Sequence, residues 1–192
     1  MAEPAIKRMT LDEFLAWEDG TDTRYELVGG FPVAMAPPAQ AHGILCATLG
    51  AMINAGLLSR RPCRVQVEAG IPRPDRDDTC YVADLAVTCH PHERGARLVR
   101  DPVLIVEVLS PGTERHDRRT KVPAYREIES VQEILLIDSE AAYAEIFRRQ
   151  GASCLIEILR GKETALYLSS YELLLPMTEL YEGIELEAEI AS

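Results

Sequence analysis

Apolar positions recur along this chain in two periods. From residue 42 to 58 they fall three and four apart, on Ile44, Leu45, Leu49, Met52 and Ile53, which predicts the longest helix of the molecule. Around it, short stretches alternate or run continuously apolar, as strands do. Arg24–Val28 and Phe31–Met35 flank Gly29-Gly30 and predict a hairpin turned by the glycine pair. Arg64–Glu68 alternates like a half-covered strand. Tyr81–Thr88 and Val103–Leu109 are rich in β-branched residues and nearly unbroken in hydrophobicity, the pattern of strands covered on both faces. Glu133–Ile137 repeats it, and residues 143–148, 153–159 and 164–168 read as a meander along one edge.

Local signals set the boundaries. Thr10 followed by Glu13 forms a capping-box pattern, so a first helix is expected over residues 10–19, ended by Gly20. Thr120 is a candidate cap for a helix running to about Ile128, with Pro123 in its first turn, where the missing N–H costs little. A short helix or turn is expected around Thr178–Leu180. With no repeat, no low-complexity tract and no long linker, the 192 residues fit a single domain over residues 1–192.

Composition narrows the class. No window approaches the length of apolar run a membrane helix needs, and the N-terminal MAEPAIKRMT lacks the apolar core of a signal peptide, so a soluble cytoplasmic chain with no membrane partner is expected. Five widely spaced cysteines without a C-x-x-C pair read as reduced, small hydrophobes. His90-Pro91-His92 reads as a loop, and His42 as a capping or packing residue. The net charge of −11 is unevenly spread: residues 94–126 carry 8 Lys/Arg against 4 Asp/Glu, whereas residues 127–192 carry 4 against 14. That basic island could meet an anionic partner, although any one arginine could equally neutralise a nearby acid.

Within this frame Asp84 and Glu107 stand out, because each plants a carboxylate inside an otherwise apolar strand. A buried carboxylate costs several kcal/mol unless a cation, metal or hydrogen bond compensates it; otherwise it takes up a proton. The pair therefore points to a divalent cation or to proton transfer, unless both are strand-end acids paired with arginine and facing solvent.

The order helix, strand, strand, strand, helix, strand, with acids on the second and third strands, resembles the PD-(D/E)XK nucleases. More narrowly, the chain resembles the Uma-two family of restriction endonuclease-like proteins. The resemblance rests on Arg24-Tyr25-Glu26-Leu27-Val28 with Gly30, Met35-Ala36-Pro37-Pro38 with His42, and Asp84-Leu85-Ala86-Val87. It continues through Val106-Glu107-Val108-Leu109-Ser110-Pro111 with Thr113, and Asp117 with Lys121-Val122-Pro123-Ala124-Tyr125. It implies an α/β fold: a restriction-endonuclease-like core with a mixed central β-sheet flanked by helices, and an N-terminal helix and β-hairpin extension. It further implies Mg²⁺ (or Mn²⁺) held by Asp84, Glu107 and the Val108 carbonyl, with Lys121 positioning or deprotonating the attacking water and Glu26 as an additional acid. DNA as substrate, Arg115, Arg118 and Arg119 as phosphate contacts, and a homodimer belong to the same implication. Ala83 stands where the family pattern has proline, and Leu109 where the one-strand motif has lysine, so the arrangement relies on Lys121 from the following helix. A noncatalytic nucleic-acid or protein-binding module, and a metal-independent small-molecule hydrolase, are the alternatives.

Overall fold

A computed structural model describes residues 7–186. The apolar runs assemble one eight-stranded mixed sheet. Its strands are β1 (Tyr25–Val28), β2 (Phe31–Ala34), β3 (Arg64–Pro72), β4 (Cys80–Thr88), β5 (Pro102–Leu109), β6 (Glu133–Asp138), β7 (Tyr143–Gln150) and β8 (Ser153–Arg160). The order is β2-β1-β4-β5-β6-β7-β8, with β3 pairing to β4 off that path. All pairs are antiparallel except β5–β6, which is parallel and so requires a crossover, here the helical segment of residues 114–126. No helix among the described residues is long and apolar enough to cross a membrane.

Helices cover both faces. Helix α1 (Leu11–Ala16) carries the full capping box, with Thr10 accepting from the Glu13 N–H and Glu13 from the Thr10 N–H. Helix α2 (Gln40–Gly56) buries Leu45, Leu49 and Ile53 against Leu85, Val87, Leu104, Val106 and Val108, together with α5 (Met177–Leu180). On the opposite face Val122, Ala124 and Tyr125 pack on Ile105, Leu109, Ile134 and Leu136. Burying a side chain of this size contributes about 1.5–3 kcal/mol, so two such clusters fix the sheet between its helical layers.

Four expectations are corrected. Residues 165–168 do not extend the meander: β9 (Ala165–Leu168) pairs only with β10 (Leu173–Pro176), in a separate two-stranded sheet. Buried Glu133 marks that departure, accepting from the Ser169 and Ser170 N–H groups, the Ser169 hydroxyl and Arg148. The cysteines are not all reduced, because Cys63 and Cys89, directly opposite beyond the Arg64–Thr88 pair, form a disulfide, while Cys46, Cys80 and Cys154 are free. Thr120 caps nothing: the chain is helical from α3 (Glu114–His116) through a π-turn (Asp117–Lys121) into α4 (Val122–Arg126). In that turn the Val122 N–H reaches back five residues to the Asp117 carbonyl. Pro123, which in a regular helix would clash with the preceding turn, follows directly in the first turn of α4. Finally, His42 does not cap α2, whose N-cap is Ala39.

Strand β4 also breaks its own alternation. Tyr81 and Ala83 face the same cluster as Ala86, whereas Leu85 and Val87 face the other side, so the pattern shifts by one residue at Asp84. Between the paired positions Val67↔Leu85 and Ala69↔Ala83 lies Glu68, with φ +48°, a left-handed conformation uncommon outside glycine. The Glu68 carboxylate pairs with Arg24.

Candidate active site

The site grows from a fork in the sheet. On the edge of β4 away from β3, strand β1 pairs only at Cys80 and β5 only from Leu85 onward. Residues 81–84 therefore have no strand neighbour on that side, and buried backbone groups must find side-chain partners. The Val82 N–H donates to Glu26 Oε1 at 2.9 Å, and its carbonyl accepts from Lys121 Nζ at 2.9 Å. Across the fork, the Val108 N–H donates to Asp84 Oδ2 at 2.7 Å. The N–H and carbonyl of a strand residue point to the same side, so the Val108 carbonyl also faces the fork.

Side chains enter from both faces of the sheet. Glu107 shares its face of β5 with Ile105 and Leu109, against α4, and is only 2% exposed. Its Oε1 accepts from the Tyr125 hydroxyl at 2.6 Å and lies 3.4 Å from Lys121 Nζ. Among the described residues no hydrogen bond reaches Oε2. Lys121 is also buried, 2.8 Å from Glu26 Oε1 and 3.6 Å from Asp117 Oδ1. His116 Nε2 stands 3.7 Å from Glu26 Oε2. From the α2 side, His42 Nε2 lies 3.2 Å from Asp84 Oδ1, and Cys46 Sγ lies 3.6 Å from His42 Nδ1.

Three carboxylates, Glu26, Glu107 and Asp117, thus surround one ammonium, with half-exposed His116 beside Glu26, and a fourth acid, Asp84, stands next to partly buried His42. Burial drives the Glu107 carboxyl well above its usual range, and the charges of Asp84 and Asp117 add to it, against the opposing pull of Lys121 and Tyr125. Asp117 is also raised, chiefly by burial. Burial works the same way on Glu26, but His116, Lys121 and the Val82 N–H outweigh it and leave that carboxyl lowered. Lys121 is disfavoured as a cation by burial, yet Glu107, Glu26 and Asp117 together hold it protonated far above neutrality. Glu26 and Lys121 form the ionised pair, and Glu107 is the group that yields. Burial and the nearby Asp84 and Glu107 charges push the Cys46 thiol up to about 12.

Asp84, Glu107, Val108, Lys121 and Glu26 therefore converge, while the three basic residues do not. Arg115 and Arg119 are exposed. Arg118 is committed to Glu114 at 2.7 Å and Glu145 at 2.5 Å. Sequence reasoning missed Tyr125, His116, His42 and Cys46 as members of the cluster. Asp117, Lys121 and Tyr125 are each four residues apart, as are His42 and Cys46, and this one-face spacing is the signal that could have found them. A groove of about 330 Å³ lies elsewhere, lined by Arg126, Phe147 and Arg149 among others.

Comparison with known proteins gives a family, a relative and a solved structure to which the chain is similar. The Uma2 family, described as "Putative restriction endonuclease", matches residues 11–177. The protein named "Uncharacterized protein slr1290" of Synechocystis sp. (strain ATCC 27184 / PCC 6803 / Kazusa) is 24% identical over 184 residues, covering 92% of this chain and 93% of its own. A crystal structure from Anabaena variabilis ATCC 29413, titled a putative nuclease belonging to DUF820, superposes with a TM-score of 0.73 at 21% identity, covering 91% of this chain and 98% of that one. This last likeness places the mixed sheet and its flanking helices in the same fold.

Proposed function

The chain belongs to the Uma2 family, and from that membership and the charge balance of its fork we propose that it is a metal-dependent endonuclease hydrolysing phosphodiester bonds of DNA. The observation that carries this reading is the surplus of carboxylates over cations at one buried locus. A dication offsets most of that surplus. Asp84, Glu107 through Oε2, and the Val108 carbonyl are the oxygen donors suited to Mg²⁺ or Mn²⁺, whose remaining positions waters would fill. When bound, such an ion lowers the pKa of a coordinated water and offsets charge on the phosphoryl oxygens.

The protein's own groups do the rest. Lys121, held protonated, serves as a donor and positive neighbour for the scissile phosphate rather than as a base. Tyr125 fixes Glu107 by its hydrogen bond, and Glu26 fixes Lys121. We assign cutting of both strands to a homodimer, each copy supplying one fork. The test is nicking of a supercoiled plasmid: cleavage is expected in Mg²⁺ or Mn²⁺, none with chelator, and none from Asp84→Asn in either. Chelator-insensitive cleavage would move the reading to metal-free hydrolysis, and metal-dependent thermal stabilisation without any cleavage would move it to a binding module.

Phosphate contact is testable separately. Binding to DNA in Ca²⁺ should weaken with salt, and the log–log slope should fall by about one for each of Arg115→Ala and Arg119→Ala. Arg118→Ala should lower the melting temperature, since it frees Glu114 and Glu145, without a comparable change in slope. Unchanged slopes for Arg115 and Arg119 would exclude this face as the phosphate contact.

A further inference from the structure

The α2 side of the fork has a chemistry that the oxygen donors do not explain. His42 and Cys46 are one helical turn apart and project onto Asp84, so that an imidazole nitrogen, a sulfur and a carboxylate oxygen lie within 4.8 Å of one another. All three side chains are partly rather than fully buried, so water and ions reach them. Asp84 offers a different oxygen here: Oδ2 is bound to the Val108 N–H, while Oδ1 faces His42.

We propose that His42, Cys46 and Asp84 form a site for a thiolate-accepting transition ion of the Zn²⁺ class, distinct in ligand type from the all-oxygen set across the fork. Hard ions such as Mg²⁺ select oxygen, whereas nitrogen and sulfur together select zinc and its neighbours. Metal–ligand lengths of about 2.0–2.3 Å in a tetrahedron put neighbouring ligand atoms roughly 3.3–3.8 Å apart. The 3.2 Å separation of His42 Nε2 and Asp84 Oδ1 is close to that already, and the 4.8 Å that bounds all three ligand atoms exceeds it by only about 1 Å. Nearby carboxylates disfavour a lone thiolate, but the same negative field favours a thiolate paired with a dication. The spacing i, i+4 places two donors on one rigid helix, and the carboxylate comes from the irregular point of β4 described above. The fourth position is left to solvent.

The proposal rests on the nuclease reading only in sharing Asp84, and the experiment separates the two. Co²⁺ serves as the optical probe and Zn²⁺ as the thermal one. Wild-type protein titrated with Co²⁺ should develop a sulfur-to-cobalt charge-transfer absorption, lost in both Cys46→Ser and Cys46→Ala and weakened at least tenfold in apparent affinity in His42→Ala. Zn²⁺ should raise the melting temperature of wild type and not of the Cys46 variants, whereas stabilisation by Mg²⁺ should survive Cys46→Ser. The proposal is overturned if wild type shows no sulfur absorption, or if that absorption persists in the Cys46 variants, which would assign it to Cys80 or Cys154. A sulfur band without Mg²⁺-dependent cleavage would sink the nuclease reading and leave the triad standing; cleavage without the band would do the reverse.

Discussion

Replacing Lys121 by alanine should lower the melting temperature by roughly 10 °C as well as abolish cleavage, because this lysine is buried and not a solvated helix cation. Removing one partner of a buried charge pair costs about 3–5 kcal/mol, and each kcal/mol moves a chain of this size by roughly 2–4 °C. Here Glu26, Glu107 and Asp117 would all lose their shared cation, and the Val82 carbonyl its donor. The deficit should shrink in acid, since protonated carboxyls no longer need the ammonium. In wild type the raised Lys121 pKa contributes stability that is complete below the ordinary lysine value of 10.5 and is lost as pH rises beyond it. Thermal melts of both proteins between pH 5 and pH 8 check the sign. Equal melting temperatures at pH 8 would mean that the cluster is held by something other than Lys121.

Glu107→Gln should make the metal-free protein more stable near neutrality while reducing metal-dependent cleavage about a thousandfold or more, some 4 kcal/mol of transition-state stabilisation. The raised Glu107 pKa means that the folded state holds this proton more tightly than the unfolded chain does. Its contribution is complete below the ordinary carboxylate value of 4.5 and disappears as pH rises through the folded pKa. Glutamine keeps the neutral form throughout. The variant should therefore match wild type near pH 4 and pull ahead as pH rises. Divalent ion should invert the ranking, because an ion at a hundred times its dissociation constant stabilises its binder by about 2.7 kcal/mol and the variant binds less. Urea titrations with Mn²⁺ and with chelator measure both halves; a variant that still gains stability from Mn²⁺ would remove Glu107 from the ligand set.

Much of the fold could be read from local signals. The capping box at Thr10 and Glu13, the Gly29-Gly30 hairpin and the long helix through Leu45, Leu49 and Ile53 all follow from residues a few positions apart. Asp84 and Glu107 were conspicuous because a charge in an apolar strand is costly wherever the strand goes. What escaped depends on pairing between distant segments. Nothing near Val82 announces that β1 and β5 stop short of it, so the roles of Glu26 and Lys121 as backbone partners were invisible. The π-turn lies just before Pro123 in a helix already begun at Glu114, which a reading from Thr120 cannot see. Cys63 and Cys89 face each other only once the β3–β4 register is set. Likewise, His42 reads as a capping or packing residue because its partner lies on a strand distant in sequence.

The phase shift at Asp84 makes β4 a switch of sides within one strand. Upstream of it, odd-numbered residues serve the α4 layer; downstream, they serve the α2 layer. A residue at such a crossing belongs to neither layer and looks along the seam between them, which is how a single carboxylate meets a helix on one face and a backbone amide of β5 on the other. The irregularity thus works as an address. Deleting one residue between Val82 and Leu85 would bring β4 back to a single alternation, and the acid would no longer stand in the fork.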